Sequence, residues 1–184
     1  MVKLAWHYTT GQKFIKIVQS GLLIPTQVGV EDHEAPVLWF SQNPIWEPTA
    51  CKGMIDAQGN NRTLSRHETR EYGGGLVRFG FPARQLLPWK RLRVAANIRK
   101  HTRIGLERAG RMMLANPDEW MGLLKPIPVS DLVVDVLEGE WSWERVGHAK
   151  PRRSSSNRSS SSRPSGISVG VASRSSCISS EIQT

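Results

Sequence analysis

Hydrophobic periodicity changes abruptly near the tenth residue, and that change limits the fold more than any other feature of the chain. Over residues 3–9, Leu4, Trp6 and Tyr8 share one side and Ala5, His7 and Thr9 the other, the mark of a strand with two occupied faces. Over residues 12–20 the period becomes helical: Phe14, Ile17, Val18 and then Leu22 form one stripe, and Gly21 supplies the stop. Val37-Leu38-Trp39-Phe40 is a continuous apolar run of the kind found in buried strands. Further strands are expected at residues 76–81, 132–137 and 141–146, and helices at 64–71, at 97–114 and from Asn116-Pro117 onward. Early, middle and late strands with helices between them predict an α+β domain around a small mixed or split β-sheet with flanking helices.

Composition sets the domain boundary. From Lys150 to the end, 14 of 35 residues are Ser, with six Lys/Arg and one acid, Glu181. Such a segment buries too little apolar surface to offset its chain entropy, so residues 150–184 are expected to form a disordered basic Ser-rich tail behind a folded domain at 1–149. The domain carries +4 of the net charge of +9 and the tail +5. Within the domain, nine basic residues between Arg84 and Arg111 face a single acid, Glu107. That stretch, bearing Trp89 and His101, is either a solvated helix face or a track for a phosphate backbone. Cys51 and Cys177 lie far apart, with neither a disulfide framework nor a metal-spaced cluster, which suits a reducing cytosol. No signal-like or membrane-spanning apolar run occurs, so a cytoplasmic protein without a membrane partner is expected.

Candidate chemistry gathers where strands end. His7 can donate or accept near neutrality. Tyr8 beside it offers an aromatic face, although adjacent strand residues point to opposite sides. Ser41 can bond a ribose or phosphate, or cap the turn behind it. In that turn Asn43 and Pro44 read as a helix start that Pro48 cuts short, leaving one rigid turn around Glu47. Glu47 is a candidate base or charge stabiliser, and Glu140, in the cluster Glu138, Glu140 and Glu144, is its rival. Arg78 sits opposite Val77 and Phe79 in an apolar run, facing solvent or aimed at an anion in a cleft. The run Gly73-Gly74-Gly75 lacks the following helix of a phosphate-binding loop. The five histidines lack metal-ligand spacing, so no metal is expected, although His33 among Glu31, Asp32 and Glu34 can attract a cation weakly.

The order His7-Tyr8-Thr9, a short helix, Gly21-Leu22-Leu23-Ile24-Pro25 and a strand ending in Phe40-Ser41 resembles the opening of small ADP-ribosyltransferase-like domains. These include DNA-modifying ADP-ribosylating toxins and, more distantly, tRNA 2′-phosphotransferases. The resemblance covers roughly residues 4–50. The later pieces Gly75-Leu76-Val77-Arg78-Phe79 and Asn116-Pro117-Asp118-Glu119-Trp120 also resemble a bacterial or phage family of unassigned activity. The likeness implies a split sheet gripping NAD. His7 would bond the nicotinamide-side ribose, Tyr8 would flank the nicotinamide, and Thr9, Ser41 and Arg78 would complete the cofactor contacts. A glutamate, Glu47 or Glu140, would assist transfer of ADP-ribose to a macromolecule, nucleic acid among the candidates. The alternative is a non-catalytic nucleic-acid- or partner-binding module that uses residues 84–111 and the tail.

Overall fold

The computed structural model describes residues 2–148 except Ala57. In chain order the elements are β1 (Leu4–Thr10), α1 (Gly11–Ser20), β2 (Leu22–Leu23), β3 (Leu38–Ser41), β4 (Gly53–Ile55), β5 (Asn61–Thr63), α2 (Arg66–Tyr72) and β6 (Leu76–Pro82). They continue with β7 (Leu87–Pro88), α3 (Trp89–Ala95), α4 (Lys100–Met112), β8 (Trp120–Leu123), β9 (Ile127–Pro128), β10 (Val133–Glu138) and β11 (Ser142–His148). The α+β class is as expected, but the sheet is larger than foreseen and not mixed. Seven strands run in the order β11-β10-β6-β1-β3-β8-β7, every pairing antiparallel. The tail predicted from residue 150, with Cys177, lies outside the described residues.

The strand-to-helix switch at residue 10 is built locally. The Thr10 side chain accepts from the Lys13 amide, and Gly21 closes α1 with φ of 75°, its N–H donating to the Ile17 and Val18 carbonyls. The glycine run also serves α1. The Gly75 and Gly73 carbonyls accept from the Gly11 and Gln12 amides at 3.0 Å each, so these first-turn donors are already occupied.

β1 lies at the centre of the sheet and pairs with β6 along its whole length, from Leu4↔Pro82 to Thr10↔Leu76. Its other neighbour is joined far more weakly: β1 and β3 share the single register pair Trp6↔Ser41. On one face of the sheet Ala5, Phe40, Phe79, Phe81 and Val134 pack under Phe14, Ile17 and Val18 of α1. The other face carries Trp6, Tyr8, Trp46, Leu76 and Leu137, with Trp143 against them. A third cluster, Val37, Trp89, Leu92, Ala96, Ala115 and Trp120, seats α3 against the β3–β8 side.

Two local expectations are corrected, and one hairpin is added. Asn116-Pro117-Asp118-Glu119 makes only a 3₁₀ turn, after which Trp120–Leu123 continues as a strand paired with β3. The polar region 53–63 holds the β4–β5 hairpin. The helix read at 97–114 is α4, preceded by a separate α3. Among the described residues, no helix is long and apolar enough to cross a membrane.

Candidate functional site

The loop after β3 carries the site, and its backbone is held by side chains rather than by secondary structure. Ser41 Oγ accepts from the Asn43 amide at 3.1 Å. Asn43 Oδ1 then accepts from Ile45 N and Trp46 N, an Asx turn in place of the helix start read at Asn43-Pro44. Three successive carbonyls are bonded to side chains of the sheet. Tyr8 Oη donates to Asn43 O at 2.5 Å, Arg78 Nη1 donates to Pro44 O, and Trp143 Nε1 donates to Ile45 O at 2.8 Å. Pro48 opens a 3₁₀ turn, Pro48–Ala50, and Glu47 stands as its cap instead of inside it.

Glu47 is buried, with 6% of its surface exposed. Its Oε1 accepts from Thr49 Oγ1 at 2.7 Å, from Trp120 Nε1 at 3.2 Å and from the Thr49 amide at 3.4 Å. Oε2 accepts a hydrogen bond from no described residue. A buried carboxylate oxygen without a partner is expensive unless a ligand, water or proton completes it. Glu47 lines a cavity of about 20 Å³, room for one water-sized group, together with His7, Tyr8, Ser41, Thr49 and Trp120 among others.

His7 borders the same space from β1. Its Nδ1 lies 2.9 Å from Trp39 O across the interval where β1 and β3 part. A carbonyl only accepts, so the neutral ring carries its proton on Nδ1 and offers Nε2 as an acceptor. Burial pushes its pKa from 6.5 down to about 4, with Lys52 and Lys13 acting the same way and the Trp39 bond opposing them. His7 is therefore neutral at ordinary pH. It also lines a second cavity of about 430 Å³ with Thr9, Lys13, Lys16, Trp39 and Lys52. His7 and Trp39 line both spaces, with Glu47 on the smaller and the lysines on the larger.

The remaining candidates divide between the two faces. Thr9, 3% exposed, joins His7 in the larger cavity, and Ser41, 1% exposed, joins Glu47 in the smaller. The Tyr8 ring packs against Trp46 and Trp143 with centroids 5.1 and 5.6 Å away, and burial pushes its hydroxyl pKa up. Arg78 is not aimed into the cleft. Its Nε and Nη2 donate to Asp135 Oδ2 at 3.0 and 2.8 Å, and its guanidinium lies over Trp6 and Trp143. Glu140 is exposed in the β10–β11 turn, and none of the cavities beside His7 or Glu47 includes it. The structure brings Glu47, not Glu140, to His7.

In the basic stretch, most of the cations are exposed on α3 and α4. Arg93 and Arg111 pair with Glu107 at 3.9 and 3.7 Å. Trp89 is 3% exposed and donates to Glu107, so it presents no face for stacking on a base.

Sequence reasoning missed Lys13, Lys16 and Lys52 beside His7 on the larger cavity, and Thr49 and Trp120 as holders of Glu47. The spacing of Lys13 and Lys16 puts both on one side of α1, which was a usable signal. Trp120 lies 73 residues from Glu47, and no local pattern announces that pairing. Comparison with protein-family models, curated proteins and solved structures finds no match to the chain. The site therefore has to be read from its own geometry.

Proposed function

We propose that the protein binds NAD in the region between β1 and β3 and transfers ADP-ribose from it to a macromolecular acceptor. The observation that carries this reading is Glu47. It is a buried carboxylate with one oxygen clamped by three donors and the other unpartnered, beside a neutral histidine and a cavity walled by three lysines. Each part answers a need of the ligand. The larger cavity lies beside the point where β1 and β3 share a single register pair, and its 430 Å³ is within the usual size of small-molecule sites, about 300–1,000 Å³. Lys13, Lys16 and Lys52 suit a pyrophosphate, and His7 Nε2 suits a ribose hydroxyl as donor to it.

The chemistry follows from charge. As the bond from ribose C1′ to nicotinamide nitrogen breaks, its electron pair leaves with nicotinamide and positive charge grows on the sugar. A carboxylate already held in place stabilises that charge without reorganising. The acceptor's nucleophilic atom then bonds to C1′ and gives up its proton, for which Glu47 Oε2 is the nearby base. The exposed cations of α3 and α4 give a polyanionic acceptor a surface to approach.

The test is calorimetric titration of the full chain with NAD, followed by an assay of nicotinamide release. Glu47→Gln keeps an acceptor for Thr49 and Trp120, so it should bind NAD within about threefold of wild type and release nicotinamide about 10²–10³ times more slowly. His7→Ala should weaken binding itself. A folded wild-type chain that neither binds NAD nor releases nicotinamide rejects the proposal.

A further inference from the structure

We infer a divalent-cation site, selective for zinc-like ions over magnesium, where the loop before β3 meets α4. Its ligands are one nitrogen of His33 and one oxygen each of Glu31 and Glu34, and these atoms lie mutually within 4.8 Å. The inference does not depend on the NAD reading.

A tight turn makes the cluster. Glu34 N donates to Glu31 O at 2.8 Å, which folds the chain so that side chains 31, 33 and 34 converge. The backbone of the turn is tied to the α3–α4 connection, since Asn97 Nδ2 donates to His33 O and Ala35 N to Ala96 O, both at 2.9 Å. On the α4 side Thr102 Oγ1 donates to Glu31 Oε1 at 3.2 Å, and His101 Nε2 lies 3.4 Å from the same oxygen. One oxygen of Glu31 is thus held from behind while Oε2 turns toward His33, 3.5 Å from its Nδ1. Oriented ligands of this sort, with a second group fixing their rotamer, are usual at metal sites.

An acidic cluster alone would mean little, because solvated acids commonly gather on surfaces. Glu34 is different. Its side chain is only 7% exposed, and its Oε1 accepts a hydrogen bond from no described residue. His33 Nε2 lies 3.9 Å from it and is likewise buried without a hydrogen-bond partner. That separation is too long for a hydrogen bond, and two facing unpartnered polar atoms are costly. A cation on Nε2 satisfies both at once, with the Glu31 carboxylate turning from the Nδ1 side of the ring to join it. Ligands about 2.0–2.2 Å from a four-coordinate ion stand roughly 3.4 Å from one another, so side-chain rotations of about 1 Å close the set.

The donor set decides the class of ion. An imidazole with two carboxylates suits Zn²⁺ and its neighbours, whereas Mg²⁺ prefers oxygen ligands and holds its own waters. Three protein ligands leave a coordination position for water or for His101. The bound ion would pin the 31–34 turn to α4, and this turn lies between Thr26 and Val37, both of which wall the larger cavity.

The experiment is titration of the chelator-stripped full chain with Zn²⁺ against a chromophoric competitor, alongside its thermal unfolding with and without the ion. Wild type should bind one equivalent at micromolar or tighter affinity and melt higher when loaded. His33→Ala and Glu34→Gln should each weaken binding at least tenfold, with circular dichroism unchanged. His67→Ala, which removes an exposed imidazole near Glu71, should leave binding intact. Binding that survives both site variants, or Mg²⁺ bound as tightly as Zn²⁺, overturns the assignment.

Discussion

Replacing Asp135 by Asn removes the carboxylate that pairs with both Arg78 and Arg145, and its cost can be worked from the burial of each partner. The Asp135 side chain is 3% exposed and that of Arg78 9%. Oδ2 accepts two bonds from Arg78, and Oδ1 accepts one from Arg145 Nε at 2.9 Å. In the variant, the amide NH₂ turns donors toward a guanidinium and leaves a buried positive charge uncompensated. Breaking one side of a buried pair costs about 3–5 kcal/mol, and the surviving amide oxygen favours the lower end. For a domain of this size that is a fall in Tm of roughly 10 °C. Arg145→Ala should cost under about 1 kcal/mol, because that side chain is 54% exposed and its pair is screened. The double variant Arg78→Met, Asp135→Leu should be more stable than Asp135→Asn alone, since the one cation it leaves unpaired, Arg145, is solvent-exposed. Urea unfolding with an unchanged slope is the assay. Hydrogen exchange at the Ile45 and Trp46 amides should speed up as well, because Arg78 also anchors Pro44 O in that loop. A loss below 1 kcal/mol for Asp135→Asn refutes the argument that this ion pair is what lets a charge lie inside the sheet.

Other outcomes follow from the same contacts. The folded pKa of His7 is depressed to about 4 while the unfolded value stays near 6.5, so its share of stability is complete above pH 6.5. That share is lost as pH falls from 6.5 toward 4, up to about 3 kcal/mol; His7→Asn should flatten the slope of unfolding free energy in that window. Gly110→Ala places a Cβ 2.5 Å from Trp120 Cζ2, so a gain in helix propensity of about 1 kcal/mol is outweighed by displacement of the ring. Both Tm and the rate of nicotinamide release should fall, because Trp120 holds Glu47. Lys13→Glu with Lys16→Glu should weaken NAD binding at least tenfold at low salt and less at high salt, with Tm nearly unchanged; equal binding would remove the lysines from the ligand.

Much of the fold was legible because its signals are local. The period switch at residue 10, the glycine stop at 21 and the apolar run at residue 37 each specify backbone without outside help, and the corresponding elements appear within a residue or two. Strand β8 was not legible. Asn116-Pro117-Asp118-Glu119 does cap a turn, with Asn116 Oδ1 accepting from Asp118 N at 3.1 Å, yet pairing with β3 turns the following residues into a strand. Helix α3 had a readable stripe in Trp89, Leu92 and Ala96, all now buried. At the site, the rigidity around Glu47 was readable from Pro48, but the means of holding it was not. Those means are Tyr8, Arg78, Trp120 and Trp143, at sequence separations of up to 98 residues. Arg78 shows the limit most clearly: alternation placed it opposite Phe79, and only tertiary structure shows that the opposite side is the interior of a tryptophan cluster.

The two faces of β1 have separate tasks, and the alternation that makes a strand is what separates them. Trp6, Tyr8 and, through the neighbouring strand, Arg78 belong to the face that grips the loop 43–47. Gly80 lies directly across from Trp6, where an added Cβ would stand 2.7 Å from the ring, so the indole can lie flat beneath Arg78. His7 and Thr9 belong to the face that borders the larger cavity. Shifting β1 by one residue would exchange the two sets, sending the imidazole into the tryptophan cluster and the indole into the cleft. The fully paired β1–β6 ladder guards against that slip, and it leaves β3 free to diverge after a single pair. Rigidity on one side of the sheet is thus what permits an opening on the other. Glu47, clamped at Oε1 by Thr49 and Trp120 and unpartnered at Oε2, lines the smaller cavity, and His7 and Trp39 line both that space and the larger one on the other face.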